Sequence, residues 1–450
     1  MGKLFGTDGV RGIANRDLTC QLSYKIGRAG GYVLKKNCSE KPLFLIAKDT
    51  RLSCDMIESA LTAGILSQGA NVMQLGVLPT PAVAYLVKHY GASAGVMISA
   101  SHNPAEYNGI KFFDSKGLKL SDALETQIEE MVRENSKISD SPPNQLGKIL
   151  PINNPKKDYL TFLASTVSCD FKNLHLAIDC ANGATVSLAE ELFTGLGATV
   201  TMFSNQPDGL NINRDCGSTH LNQICHHTVK AYADLGISFD GDGDRVLLCD
   251  ESGKPIDGDQ ILSILAHHMK SQGKLPKNTV VSTVMSNLAL SLFGKENDIT
   301  VKQTKVGDRY VLEEMLSFGY HLGGEQSGHI ILRPESTTGD GLLTALKILE
   351  IMKQKNSTAS QLASVMTPLP QILLNIMVQP LKKEEVLADA EVQSLKASIS
   401  HQLGNNGRIL LRASGTEPVF RVMLEGKSAK EIGEYAHKMA NLISQKFGEI

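Results

Sequence analysis

The sequence predicts an α/β protein of four domains, the first three similar in length and pattern and the last smaller and of α+β type. Short β-branched runs alternate with longer segments of helical period, the pattern of domains built on largely parallel sheets. At 450 residues the chain is long enough for about three domains of roughly 150 residues, or four smaller ones. Proline-rich stretches at Ser139 to Pro155 and Thr367 to Pro370 interrupt the alternation as linkers do. The boundaries expected from these breaks and from the turn at Asp250 to Gly253 are 1–152, 153–254, 255–367 and 368–450. The first three units look like copies of one another, yet no fixed-period repeat accompanies them.

In the first unit, Leu43 to Ala47 reads as a buried strand and Met56 to Leu66 as the helix that follows it. Gly95 to Ser99 is another strand, and its ladder cannot continue into Ala100-Ser101-His102-Asn103-Pro104 because of the asparagine and proline. Ser101 is therefore expected on a loop at a strand's carboxyl end, the edge where open α/β sheets place ligands. Leu174 to Ile178, Ala198 to Phe203 and Leu235 to Phe239 are strands of the second unit, and Arg245 to Cys249 returns from an acidic run to a turn at Asp250 to Gly253. The third unit holds the strand Thr279 to Ser282 and the helix Gly341 to Lys355. In the last, Ile409 to Leu411 and Val422 to Leu424 read as strands, and Ile432, Tyr435, Ala436, Met439, Leu442 and Ile443 trace the stripe of an amphipathic helix.

Composition excludes several functions. With 42% hydrophobic and 20% charged residues the chain is neither disordered nor fibrous. Lys and Arg number 45 against 47 Asp and Glu, a net charge of −2, so no basic excess marks a nucleic-acid or anionic-membrane binder. No apolar run is long enough to span a membrane, and the N-terminus lacks the apolar core of a signal peptide. The 8 cysteines are scattered, with no C-x-x-C pair, and read as reduced structural thiols of a cytoplasmic protein.

The sharpest local signal is Asp240-Gly241-Asp242-Gly243-Asp244-Arg245. Three carboxylates at alternate positions, spaced by glycines that let the backbone fold tightly, can converge on one hard divalent cation. Without a cation such crowding repels. An EF-hand loop is the rival, since Glu251 supplies its final glutamate, but Arg245 stands where that loop needs glycine and strands flank it. A solvated acidic turn is the plainer alternative. The second signal is Ile98 to Pro104, which has no G-x-S-x-G elbow around Ser101. By itself Ser101 is an ordinary turn residue; as a phosphate carrier it would complete the oxygen set that three aspartates leave open around Mg²⁺.

A third signal is Arg412-Ala413-Ser414-Gly415-Thr416-Glu417-Pro418 with Arg421 beyond it. Backbone N–H groups freed by the glycine, two hydroxyls and two guanidinium forks would make an anion cradle; a plain hairpin turn is the alternative. Gly323 to His329 offers carboxylate, amide and hydroxyl groups of the kind sugar hydroxyls require, and Phe5 to Gly12 sets Arg11 among glycines. Both could equally be turns. In Lys305 to Tyr310, Asp308 reads as well as a helix N-cap as anything else.

Taken in order, these serine, acidic, Gly-Glu-Gln-Ser-Gly and Arg-Ala-Ser-Gly-Thr-Glu-Pro loops resemble the α-D-phosphohexomutase superfamily end to end. Phe5 to Gly12, Cys180 to Ala184, Lys305 to Tyr310 and Gly324 to His329 are similar to those of its bacterial phosphoglucosamine mutase branch. The resemblance implies four domains around a central cleft, three of them related α/β units with mixed sheets. It implies an isomerase that interconverts glucosamine 6-phosphate and glucosamine 1-phosphate, through a phosphoserine enzyme and glucosamine 1,6-bisphosphate, on the route to UDP-N-acetylglucosamine. By motif, Ser101 carries the phosphoryl group, and Asp240, Asp242 and Asp244 hold one Mg²⁺ together with it. Glu325 and Ser327 would grip sugar hydroxyls, and Arg412, Ser414, Gly415, Thr416 and Arg421 the distal phosphate. Arg11, Lys111, Arg245 and His329 are the cations around the transferring group, Arg245 being counted with substrate binding, and proton transfer is shared among Lys111, His102 and His329. The expected partner is a small sugar phosphate, with no nucleic acid or membrane and with room for a homodimer. A sibling phosphomannomutase/phosphoglucomutase is the nearest alternative; a metal-dependent phosphatase with an aspartyl nucleophile and a sugar-phosphate sensor are more distant ones.

Overall fold

A computed structural model describes residues 4–6, 8–35, 41–379, 382–413 and 419–448. It divides into two compact units, Met1–Met285 with Ile299–Val365, and Ser286–Asp298 with Met366–Ile450.

Three mixed sheets build the first unit. In the first sheet the strands lie in the order Phe5–Gly6, Gly9–Ile13, Tyr107–Asp114, Ala94–Ile98, Leu43–Lys48 and Asn71–Val77. Leu43–Lys48 runs parallel to both of its neighbours, while Tyr107–Asp114 returns antiparallel beside Ala94–Ile98. The second sheet repeats this plan: His175–Asp179 pairs in parallel with Thr199–Phe203 and Leu235–Phe239, and Val246–Asp250 folds back antiparallel. So does the third, where Thr279–Thr283 is parallel to Thr300–Thr304 and Leu322–Gly324, and Ile330–Leu332 closes an antiparallel hairpin. The antiparallel return lets one strand in each sheet follow its neighbour through a single loop, and the loops at Ser101, Asp240 and Glu325 are these connections. The fold class is thus α/β with mixed sheets, as the strand and helix periods indicate, and strand and helix ends differ from the sequence reading by up to three residues.

The proline-rich stretch after Ser139 is stitched down. Val72 N–H donates to the Lys148 carbonyl at 3.0 Å and Leu150 N–H to the Val72 carbonyl at 2.8 Å, so the segment extends along the edge strand Asn71–Val77 and covers it. Arg28 reaches the Ile138 carbonyl at 2.7 Å. Asn154 then caps the helix Pro155–Ser165, accepting from Lys157 N–H at 3.1 Å.

A buried pair sets the start of the helix Gly341–Lys355. Asp340 caps it by accepting from Leu343 N–H at 2.9 Å, and its other oxygen takes the Tyr159 hydroxyl at 2.7 Å. Burial pushes the Asp340 carboxyl up from 3.8 to about 6. The folded protein therefore holds this proton more tightly than the unfolded chain, and ionising the group as pH rises from 4 to 7 lowers stability by up to about 3 kcal/mol. Asp340→Asn removes that dependence. The difference in unfolding free energy between variant and wild type is expected to move in the variant's favour by about 3 kcal/mol between pH 4 and pH 7, as denaturation at the two pH values would measure. A difference that stays flat would contradict this.

The second unit is a three-stranded antiparallel sheet in the order Gln371–Met377, Val419–Gly426, Gly407–Ala413, against the helices Ala390–Leu403 and Ala429–Phe447. Phe420, Val422 and Leu424 face Ile432, Ala436, Met439 and Ile443 in one core. This is the α+β packing expected from the terminal helix stripe. The helix Leu288–Glu296, which lies in sequence between two strands of the third sheet, belongs here: its first N–H donates to the fully buried Glu425 at 3.1 Å, and Glu425 also takes Arg408 at 2.5 Å.

Candidate functional site

Ser101 follows the strand Ala94–Ile98 with φ +52°, a left-handed conformation that few non-glycine residues adopt. The surroundings hold it there. Ser101 N–H donates to the Ser99 hydroxyl at 2.9 Å, and Ser99 donates to Asp49 at 2.6 Å. The Ser101 carbonyl accepts from Arg51 and from the Asn213 side-chain amide, each at 2.9 Å, and Arg51 is itself locked to Asp49 at 2.9 Å. What remains free to act is the hydroxyl, which donates to the Asp240 carboxylate at 2.6 Å and lies 3.3 Å from Nδ1 of His102.

The acidic loop turns between the strands Leu235–Phe239 and Val246–Asp250. It approaches the serine loop so closely that a Cβ on Gly241 would lie 2.6 Å from the Ser101 carbonyl oxygen, and Gly243 takes φ +68°. Ala184 N–H donates to the Gly241 carbonyl at 2.8 Å, and a Cβ on Gly183 would lie 2.3 Å from that carbonyl oxygen. This is the local reason for the Cys180 to Ala184 segment. Asp240, Asp242 and Asp244 are all buried, with ligand oxygens within 4.8 Å of one another. Asp242 accepts from Thr80 at 2.7 Å and from Lys111 at 2.9 Å; Asp240 accepts from Arg245 N–H at 3.1 Å.

Electrostatics divides the trio. Burial, then the charges of Asp244 and Asp242, push the Asp240 carboxyl well above the usual carboxylate range. Burial would raise Asp244 too, but His329, Lys111 and Arg245 outweigh it and hold it well below. One oxygen of Asp242 and one of Asp244 are buried with no hydrogen-bond partner among the described residues. Orphaned anionic oxygens beside a crowded third carboxylate form the donor set of a hard divalent cation, and these residues fit one.

Around them stand the cations. Lys111, 2% exposed, lies 2.9 Å from both Asp8 and Asp242 and 3.9 Å from Asp244. Burial works against its charge, but the three carboxylates raise it above its ordinary value. His102 is pushed down to about 4 by burial and by Arg245 and Arg11, and is neutral at neutral pH. His329 lies 3.6 Å from Asp244 and 3.5 Å from Asp308. Burial lowers its pKa, yet those carboxylates raise it above the ordinary value. Gly339 N–H donates to its Nε2 at 3.0 Å, so the neutral ring keeps its proton on Nδ1, toward Asp244. Arg11 donates to Asp8, and Arg245 lies 3.9 Å from Asp244.

Glu325 and Ser327 sit on the same loop as His329, with the Ser327 hydroxyl 3.5 Å from Glu325 and Gly307 N–H donating to Glu325 at 3.2 Å. Val246 N–H donates to the Gly328 carbonyl at 3.1 Å, tying this loop to the strand that leaves the acidic loop. One unit therefore gathers Ser101, His102, Lys111, Arg11, Arg245, the aspartates, Glu325, Ser327 and His329. In the second unit, Arg412 and Arg421 are directly opposed on paired strands and so share a face of the sheet. Ser414, Gly415 and Thr416 lie outside the described residues.

Several site residues carry no signal in sequence. Thr80 opens the helix Thr80–His89 and grips Asp242 with both hydroxyl and backbone N–H, the latter at 2.9 Å from the Asp242 carbonyl. Lys119 bridges Asp8 and Asp308, at 2.5 Å from each. Asp308 is not the N-cap but the first residue of the helix Asp308–Phe318, with Gly307 at the cap position; one carboxylate oxygen accepts from Arg309 N–H at 2.9 Å and the other faces Lys119 and His329. A buried lysine needs such a counter-charge. Burial would raise Asp308, but Lys119 and His329 hold its carboxyl below the ordinary value. Stability from this pairing is present above the unfolded carboxylate range and is lost as pH falls through the folded value. Lys119→Met is expected to destabilise the protein by about 3 kcal/mol at pH 7, with the deficit shrinking below about pH 4. Urea denaturation at both pH values measures it, and an equal deficit at each would rule the ion pairs out as its cause.

Models of four successive domains match this arrangement in order. They are the phosphoglucomutase/phosphomannomutase α/β/α domains I, II and III, over residues 2–139, 157–253 and 257–369, and the C-terminal domain over 373–442. The chain belongs to that family. Within it, the chain is similar to phosphoglucosamine mutases: it is 53% identical over 448 residues to that of Clostridium novyi, with 99% of each chain covered. It is 50% identical over 449 residues to that of Acetivibrio thermocellus, with 100% of each covered. In fold it is similar to a phosphoglucomutase/phosphomannomutase family protein from Burkholderia thailandensis, with TM-score 0.84 and 22% identity over 98% of this chain and 97% of that one. It is also similar in fold to Aspergillus fumigatus N-acetylphosphoglucosamine mutase in complex with GlcNAc-6P and magnesium, with TM-score 0.69 and 19% identity over 98% and 95%.

Proposed function

We propose that the protein interconverts glucosamine 6-phosphate and glucosamine 1-phosphate through a phosphoserine at Ser101. The observation that carries this reading is the 2.6 Å hydrogen bond between the Ser101 hydroxyl and Asp240, inside a buried aspartate trio with orphaned oxygens. Relatives at 50% identity and above along the whole chain support the substrate.

In the proposed cycle the phosphoryl group passes from Ser101 Oγ to the free hydroxyl of the incoming sugar phosphate. That hydroxyl gives up its proton as the bond between phosphorus and Ser101 Oγ breaks, Ser101 Oγ takes a proton up, and glucosamine 1,6-bisphosphate and a free serine result. The bisphosphate turns around, Ser101 Oγ gives up its proton and takes the other phosphoryl group, and the sugar oxygen that loses that group takes the proton up, leaving the isomer and the phosphoserine. Phosphoryl transfer passes through a loose transition state, so most of the catalysis is positioning and charge stabilisation. Asp240, Asp242 and Asp244 hold Mg²⁺, which supplies positive charge to the transferring group. Lys111 and Arg245 add fixed cations beside it, and His102, neutral and 3.3 Å from Ser101 Oγ, is placed to accept a proton. Lys111, held cationic by three carboxylates, acts in this scheme through charge and hydrogen bonding. Glu325 and Ser327 grip sugar hydroxyls, and the paired Arg412 and Arg421 bind the distal phosphate.

No described helix is long and apolar enough to cross a membrane. Five of the seven free cysteines among the described residues are buried, which supports a cytoplasmic setting.

The test is turnover of glucosamine, glucose and mannose 6-phosphates with Mg²⁺, alongside peptide mass spectrometry after incubation with glucosamine 1,6-bisphosphate. The glucosamine substrate is expected to have the highest kcat/KM, with one phosphate located on Ser101. Higher kcat/KM on glucose or mannose phosphate would reassign the substrate, and phosphate on another residue would remove the nucleophile role.

A further inference from the structure

The hairpin that presents Glu325 to His329 has a second end. Its strands pair with Gly324 opposite Ile330 and Leu322 opposite Leu332, so the chain beyond Leu322 and Leu332 lies about 10 Å from the sugar loop. There Arg333 N–H donates to the His321 carbonyl at 2.8 Å, and a cavity of about 410 Å³ opens between the helices Gly258–Ser271 and Gly341–Lys355. That volume is typical of small-molecule sites. None of the residues to which the proposed cycle assigns a role lines it.

Leu265, Met269, Leu332 and Ile351 give the cavity an apolar wall. Its polar groups are mostly donors without partners. The side chains of Arg333, His321 and Lys274 form no hydrogen bond or ion pair among the described residues. Of the two carboxylates on the wall, Glu350 is committed to Ser168, whose N–H and hydroxyl donate to it at 2.9 and 2.8 Å, and to Lys347 at 3.6 Å. Glu335 alone opposes the remaining cations. The positive field is felt nearby: burial and then Arg333 lower the pKa of Lys88.

A guanidinium fork, an ammonium and an imidazole beside an apolar wall form a donor set larger than a carboxylate needs and suited to the three oxygens of a phosphate. We propose that this cavity is a second ligand site, separate from the cleft, for a phosphate monoester carried on an apolar body.

The probe is 4-methylumbelliferyl phosphate, followed by its fluorescence polarisation on the full chain with glucosamine 6-phosphate and Mg²⁺ at saturation to occupy the cleft. Saturable binding is expected with Kd below about 1 mM, and 4-methylumbelliferone, which lacks the phosphate, should bind about tenfold more weakly. Arg333→Ala should weaken the probe about tenfold and leave turnover within about twofold of wild type, and the exposed Lys274→Ala should weaken it about threefold. Saturation by sugar phosphate rests on the proposed function; the two variants do not. Binding abolished by the sugar phosphate and indifferent to both variants would place the probe in the cleft and overturn the second site while supporting the first reading. Absence of saturable binding up to about 5 mM probe, or equal affinity for the probe and its phosphate-free parent, would also overturn it.

Discussion

Ser101→Ala is expected to lower turnover of glucosamine 6-phosphate by about 10⁴-fold or more, the scale seen when a covalent nucleophile is removed. Folding should survive. The variant loses one hydrogen bond to Asp240, about 1 kcal/mol, and keeps the backbone bonds through which Ser99, Arg51 and Asn213 hold the loop. Alanine at φ +52° is as strained as serine, so Ser101→Gly is the matched control. Glycine relieves the strain and should be at least as stable as the alanine variant, yet no more active. If chemistry resides in the hydroxyl, both variants are inactive and neither takes up phosphate from glucosamine 1,6-bisphosphate, as intact-protein mass spectrometry would register. Glycine or alanine variants that still turn over more than a trace of substrate would end the case for Ser101 as carrier.

How far this site is legible in the sequence depends on the range of the forces that make it. Asn103 and Pro104 terminate a strand locally, so the loop position of Ser101 follows from its immediate neighbours in the chain. Gly241 and Gly243 are equally legible, because alternating glycines and aspartates announce a tight anionic turn. Thr80 is not: it is an ordinary first residue of a helix, and its partner Asp242 is 162 positions away. Lys119 looks like a surface lysine after a turn, and only the packing of two loops against it makes it a buried bridge. The same limit applies to the fold. Helical period in Leu288–Glu296 reveals an apolar face but not that its cap and Glu425 join it to the second unit.

Asp242→Asn carries the second large expectation, because it separates metal binding from the rest of the site. Asp242 offers one oxygen already engaged by Thr80 and Lys111 and one that is buried with no partner among the described residues. Asparagine keeps an oxygen for Thr80 but replaces the other with a nitrogen that cannot ligate a hard cation. A bound divalent ion is worth several kcal/mol in phosphoryl transfer, so turnover should fall about 10³-fold at fixed Mg²⁺. In wild type, Mg²⁺ at a hundred times its Kd should stabilise the fold by about 2.7 kcal/mol, and this increment should vanish in the variant. In chelator, by contrast, the variant should be no less stable than wild type, since it relieves the repulsion that pushes Asp240 upward while Lys111 retains Asp8 and Asp244. That inversion, weaker with metal and unharmed without it, is what distinguishes a cation site from a structural acidic turn. An equal rise of the unfolding midpoint with Mg²⁺ in both proteins would mean the trio does not hold the ion.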